Sequence, residues 1–169
     1  TTAGGIACNR IARWDGSSWS PLGSGLNNTV RSLAVSPLNG DLVVGGQFST
    51  AGGAAATRIA RWDGNAWWPL GSGLNGTPAT LVAHANGDLF VGGAYTTAGG
   101  TTANRIARWN GSTWSSLGSG VSGQVDAMAT LGNGDLVVGG QFTTAGSAAA
   151  MRIARWDGST WAVLGSGID

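Results

Sequence analysis

The sequence predicts an all-β fold, a β-propeller built of four-stranded antiparallel blades, and three observations carry that prediction. The phrase Arg-Ile-Ala-Arg-Trp-Asp-Gly begins at Arg10 and returns at Arg58, at Arg105 (with Asn110 in place of Asp) and at Arg152, in steps of 48, 47 and 47 residues. A period of that length marks an array of one supersecondary unit whose hydrophobic face is covered only by its neighbours. Each full period then holds four short strand signals, and four antiparallel strands in about 40–50 residues are the pattern of a propeller blade. Finally, Gly and β-branched residues interrupt every helical window, so no 3.6-residue stripe competes.

In the second full unit the strands fall in order. Ala79–Ala83 is the first, followed by the Asn86-Gly87 turn, a dipeptide whose residues both tolerate positive φ. Asp88–Gly93 is the second, running on into Ala94 and Tyr95, after which Thr96–Asn104 reads as a Gly- and Thr-rich loop. Arg105–Trp109 is the third strand, Asn110-Gly111 another tight turn, and Ser112–Leu117 the fourth strand. The same four recur from Val30 to Gly73 and from Val125 to Gly167. Before them stand only Ile11–Trp14 and Ser17–Leu22, a third and fourth strand without a first and second. The expected organisation is one repeat domain of three and a half blades over 1–169: a half blade at 1–26, then blades at 27–74, 75–121 and 122–169. The chain opens without Met and partway through a repeat, which reads as a piece of something longer.

Composition narrows the function. The 169 residues include 31 Gly and nine Trp, no Lys and no Glu, with nine Arg against eight Asp for a net charge of +1. That balance gives no electrostatic footprint for nucleic acid, and no run of 18 apolar residues suggests a membrane span. Cys8 is the single cysteine, so no intrachain disulfide forms; it fills the slot of Ala56, Ala103 and Ala150 as a small buried or loop residue.

The residues also resemble kelch-type repeats, including those of the galactose-oxidase propeller. The shared marks are the double glycines Gly45-Gly46, Gly92-Gly93 and Gly139-Gly140, the pairs Trp62-Asp63, Trp109-Asn110 and Trp156-Asp157, and the fourth-strand Trp67, Trp114 and Trp161. The third-strand aromatic is Trp where the kelch pattern more often has Tyr, and the Arg-Ile-Ala-Arg prefix is not part of that pattern. The variant is similar to glycine-rich repeats of secreted or surface-displayed bacterial proteins. That resemblance implies a propeller, an extracellular or cell-surface location and a binding role.

Residues repeated in every unit read as builders of the unit. The paired Trp suit an interblade core, each indole N–H needing a partner. Trp68 departs from this, because its equivalents are Ser20, Ser115 and Ala162, and it is the candidate exposed ligand platform. Arg61 and Asp63, two apart on one strand face, are expected to make a charge-assisted contact, as are Arg13/Asp15 and Arg155/Asp157; guanidinium stacking on indole would favour Arg over Lys. Asp41, Asp88 and Asp135 lack the alternating ligand ladder of a calcium loop and read as turn residues. Asp126 and Arg31 occupy one position of the innermost strand, where Ala79 stands in the remaining blade, and are the candidate lining of a central channel. His84 is the lone histidine, in a solvated hairpin turn. With one His, one Tyr and one Cys, neither a copper-radical site nor a zinc site can be assembled, so no cofactor, metal or catalytic residue is expected. Sequons at Asn27, Asn75 and Asn110 are near chance in such a composition.

The primary functional expectation is a noncatalytic extracellular binding or structural module that presents loops on a rigid ring. A lectin-like propeller and a segment of a secreted enzyme with catalytic residues elsewhere are the alternatives. Three and a half blades leave sheet edges open, so the half blade is expected to be completed by self-association or by further chain.

Overall fold

The computed structural model describes residues 1–168, and those residues form the predicted all-β propeller segment. Three four-stranded antiparallel sheets follow one another, each ordered fourth–third–second–first. Their strands are Val30–Val35, Leu42–Gly46, Ile59–Trp62 and Trp67–Pro69; Thr77–Ala83, Leu89–Ala94, Ile106–Trp109 and Trp114–Ser116; and Val125–Thr130, Leu136–Gly140, Ile153–Trp156 and Trp161–Val163. A two-stranded piece, Ala12–Trp14 with Trp19–Pro21, precedes them. First strands of successive sheets pack on one another, which places them at the centre of the arc.

The core lies between sheets. Val43, Ile59, Leu70 and Leu74 of one blade join Leu81, Leu89, Val91, Tyr95 and Trp114 of the next in a single buried cluster, and two equivalent clusters flank it. Strands such as Leu89–Gly93 are therefore buried on both faces and read as continuous apolar and glycine runs. The double glycine is a consequence of that crowding. A Cβ on Gly93 would lie 2.3 Å from the Thr77 carbonyl oxygen, where the first strand bulges, and one on Gly92 would lie 2.4 Å from Val125 of the next blade. Cys8 is buried in the same slot as Ala56, Ala103 and Ala150.

A directional bond crosses each joint. The fourth-strand indole donates its Nε1–H to a leucine carbonyl of the preceding unit: Trp67 to Leu22 at 2.8 Å, Trp114 to Leu70 at 3.0 Å and Trp161 to Leu117 at 2.8 Å. Each of these rings is tilted about 50° against the third-strand Trp of its own sheet, with centroids 5.2–5.3 Å apart. Such aromatic pairs add about 0.5–1.5 kcal/mol beyond the area they bury. The Trp14–Trp19 pair keeps that geometry, yet its rings are 50% and 39% exposed because no earlier blade covers them.

Four features differ from the sequence expectations. The Gly- and Thr-rich loops are small hairpins, Thr2–Ala3 with Ile6–Ala7, Thr50–Ala51 with Ala54–Ala55, Thr97–Ala98 with Thr101–Thr102, and Thr144–Ala145 with Ala148–Ala149. Three of them turn on Gly-Gly with both φ positive, a primed turn that matches strand twist. Second, the Asn-Gly turns after the first strands use positive φ only at Gly (Gly87, 99°), while the Asn amide donates to the following aspartate.

Third, that aspartate, and not the one two residues along the strand, is the arginine's partner. Arg61 pairs with Asp41, Arg108 with Asp88 at 2.8 Å and Arg155 with Asp135 at 3.0 Å. The third strand runs beside the second, so the guanidinium meets the carboxylate that opens the neighbouring strand. These carboxylates are nearly buried, where an unpaired charge is costly. Asp15, Asp63 and Asp157 instead cap their own turns, each accepting two backbone N–H bonds. Fourth, the first arginine of each phrase lies outside the third strand in left-handed backbone, at φ 69°, 65°, 67° and 61°. There its N–H bonds back across the hairpin (Arg58 to the Phe48 carbonyl, 2.9 Å) while its own carbonyl accepts from the second glycine (Gly46, 2.9 Å). Guanidinium stacking on indole is seen for Arg61 over Trp68.

Two outcomes follow. Trp114→Phe removes the indole donor and leaves the Leu70 carbonyl with only its Gly73 N–H bond, which is expected to lower stability by about 0.5–1.5 kcal/mol, whereas Trp68→Phe should change it by less than about 0.5 kcal/mol. Urea unfolding of the two variants checks this, and equal losses would contradict it. Backbone N–H bonds from Ala66 and Asn65, with the Trp68 indole, hold the Asp63 carboxyl at about 2 against an ordinary 3.8. Its folded-state pKa is depressed, so the turn's contribution is present above 3.8 and fades as pH falls toward 2. A carboxyl NMR titration should find a midpoint near 2; one near 3.8 would show the cap absent.

Candidate functional site

The fourth-to-first connections and the small hairpins meet at the rim. Each fourth-to-first connection is bridged to the small hairpin of the next sheet, Leu26 to Ala51, Leu74 to Ala98 and Val121 to Ala145. A polar side chain locks every meeting point. Asn27 accepts from the Ser49 and Thr50 N–H groups, Asn75 from those of Thr96 and Thr97, and the Ser122 hydroxyl from those of Thr143 and Thr144. The sequon residues Asn27 and Asn75 are thus structural, and Asn110 caps its own turn at Ser112 and Thr113.

Polar clefts open on the rim beside these locks. One of about 190 Å³ is lined by Asn104, Arg105, Ser119, Gly120, Val121, Ser122, Thr144 and Gly146. Its counterpart two joints earlier, about 330 Å³, is lined by Asn9, Arg10, Ser24, Gly25, Leu26, Asn27, Thr50 and Gly53. Both offer a guanidinium, an amide and hydroxyls on a hydrogen-bonded frame, since Asn9 and Asn104 donate to the Ser24 and Ser119 carbonyls at 3.0 Å. Such groups suit polyols and oxyanions. Sequence reasoning expects recognition on loops of a rigid ring but does not single out these side chains; the signal is the constant offset between the Arg of the phrase and the Gly-Ser-Gly turn.

The three residues singled out from sequence do not share one site. Arg31 is exposed on the innermost strand and lines a cleft of about 260 Å³ with Gln47, Thr77, Pro78, Ala79, Ala94 and Gln124. Asp126, also exposed, is tied to that lining through Gln124, which donates to it at 2.5 Å, and it accepts a second bond from Gln141 at 3.2 Å. Trp68 sits on the outermost strand of the sheet whose innermost strand carries Arg31. It is 47% exposed and its indole donates to Asp63 at 2.7 Å.

His84 and Tyr95 are engaged within the fold. His84 is half-buried rather than solvated: Nε2 contacts the Gly134 carbonyl at 2.8 Å and Nδ1 the Asn86 amide oxygen at 2.7 Å, linking turns of adjacent blades. The Tyr95 hydroxyl donates to the Val91 carbonyl, and burial pushes its pKa up. Among the described residues no group of three or more His, Cys, Asp or Glu could hold a metal ion.

The comparisons with known proteins agree with this architecture. No curated protein and no solved structure matches the chain. The family described as Rax2 C-terminal beta propeller domain matches residues 72–168, which takes in the last two complete sheets and the connection leading into them. With more than half of its length matched and the sheets built as propeller blades, the chain belongs to the Rax2 C-terminal β-propeller domain family.

Proposed function

We propose that this propeller segment is a noncatalytic binding and structural module, displayed outside the cell, that presents its rim to a partner. The observation that carries the reading is the recurrence of a polar cleft at the interblade rim on a frame of backbone and Asn/Ser bonds. Recognition commonly sits on loops held by a rigid scaffold. The engagement of His84, Tyr95 and the paired or turn-capping aspartates supports a scaffold role over acid–base chemistry. The double glycines and the Trp pairs support a kinship with kelch-type repeats within the propeller class. The similarity to glycine-rich repeats of secreted or surface-displayed proteins supports the extracellular setting.

A lectin-like reading draws on the same clefts, with Trp68 as an exposed aromatic beside Arg61 and Asp63. The inner cleft with Arg31, Gln124 and Asp126 is the other candidate contact surface.

Two measurements test these readings. An epitope tag on the full-length protein should be stained in intact cells; staining only after permeabilisation would overturn the extracellular assignment. On a glycan array, the lectin reading expects binding that falls at least tenfold in Asn104→Ala or Trp68→Ala. A blank array leaves the protein-binding scaffold as the reading and removes the lectin.

A further inference from the structure

The first arginine of the repeated phrase has two fates, in step with the residue before it. Arg58 follows Thr57, and its Nη1 donates across the joint to the Leu74 carbonyl at 2.8 Å. Arg152 follows Met151 and donates to the carbonyl at the same offset, that of Ile168, at 3.2 Å. In both units the guanidinium itself braces the segment that leaves the fourth strand. Arg105 follows Asn104, and there the amide does the bracing: Asn104 Nδ2 donates to the Ser119 carbonyl at 3.0 Å. Arg105 Nη1 turns back to the Tyr95 carbonyl of its own sheet, 3.1 Å away, an oxygen that already accepts the Arg105 backbone N–H. Asn9 precedes Arg10 and makes the equivalent 3.0 Å bond to the Ser24 carbonyl. The clefts of about 190 and 330 Å³ lie at these two Asn-Arg joints.

The Arg105 guanidinium is left with donors to offer. It is half-buried, no acidic residue lines its cleft, and among the described residues it pairs with no carboxylate. A guanidinium in that state keeps most of its five N–H donors and meets an oxyanion through two parallel bonds. The groups beside it suit hydroxyls. Because Asn104 spends its amide N–H on Ser119, its Oδ1 is left as an acceptor. The Ser119 and Thr144 side chains line the same cleft, and their hydroxyls make no bond among the described residues. One cation, one acceptor and two hydroxyls complement a ring that carries several hydroxyls and a single anionic group. The volume is below the roughly 300 Å³ at which drug-sized sites begin, and matches one such ring. No aromatic residue lines the cleft, so charge and hydrogen bonding supply the selectivity in place of stacking.

We propose that the Asn104-Arg105 joint is a binding site for an anionic sugar. The guanidinium holds a carboxylate or sulfate ester on the ring, while Asn104 Oδ1 and the Ser119 and Thr144 hydroxyls take the ring hydroxyls. The Asn9-Arg10 joint repeats the site, whereas the Thr57-Arg58 and Met151-Arg152 joints spend their arginine on the scaffold and do not. The proposal rests on the reading of the rim clefts as contact sites, and adds to it the ligand's charge and the residue that selects which joints bind.

Titration calorimetry of the whole chain with a galacturonic acid oligomer, its methyl ester and an O-sulfated galactose oligomer tests this. The acid or the sulfated sugar should bind about tenfold or more tightly than the ester and weaken as salt is added; the tighter of the two identifies the source of the oxyanion. Arg105→Gln should remove one site per chain, and Arg58→Gln should remove none. Because a loss can also come from misfolding, Thr57→Asn supplies the opposite readout: it should release Arg58 and add one site per chain. Equal binding of acid and ester would overturn the proposal and leave a lectin for neutral sugars. No binding of any of the three would overturn it together with the lectin reading, leaving the protein-binding scaffold. Equal losses in Arg105→Gln and Arg58→Gln, with no site gained in Thr57→Asn, would also overturn it, since the arginines would then act only through the fold.

Discussion

Everything in this fold hangs on a bond that a single blade cannot make. The indole N–H of a fourth-strand Trp needs a carbonyl, and the carbonyl it uses belongs to the leucine that ends the fourth strand of the preceding unit. The ring that carries this donor is pressed between that turn and the small hairpin of its own sheet. A Cβ on Gly99 would come within 2.2 Å of Trp114. An aromatic ring so confined can fill the gap between sheets while its one polar atom is satisfied, the condition under which a buried Trp stabilises rather than costs. Blades bonded in this way derive stability from their neighbours, as repeat arrays do.

The polar inventory follows from the same constraint. Sheets that stack closely leave little room for unpaired charge, and the buried turn aspartates are doubly engaged. Each turn aspartate takes an Asn amide from its own turn and a guanidinium from the next strand. The rim is where the scaffold relaxes: the Arg beginning each phrase, the Gly-Ser-Gly turn and the capping Asn or Ser border clefts facing outward. That division gives a stiff interior and a polar periphery.

Much of this was legible in the sequence because repetition puts every strand on the page several times. The period, the four strands per unit and the interblade placement of the paired Trp all follow from register alone. Pairing between strands was less legible. Strand alternation alone puts Arg61 beside Asp63, while its partner is Asp41 across the sheet, a contact that depends on which residue of the second strand lies opposite. Left-handed Arg58 was invisible because arginine carries no local signal for positive φ. A hairpin turn alone implies a solvated His84; only the packing of neighbouring turns brings Gly134 within its reach. The rim clefts are made by loops some 15 residues apart, so their composition appeared only once the joint was closed.

Hydrogen exchange at the indole nitrogens, resolved by NMR, probes the joint directly. The Nε1–H protons of Trp67, Trp114 and Trp161, each bonded to the preceding unit, should exchange slowly. Trp19, which holds the same place in the first unit but is 39% exposed, should exchange rapidly. Uniform exchange across these four indoles would contradict the account, because it would mean that the blades are not tied through their tryptophans.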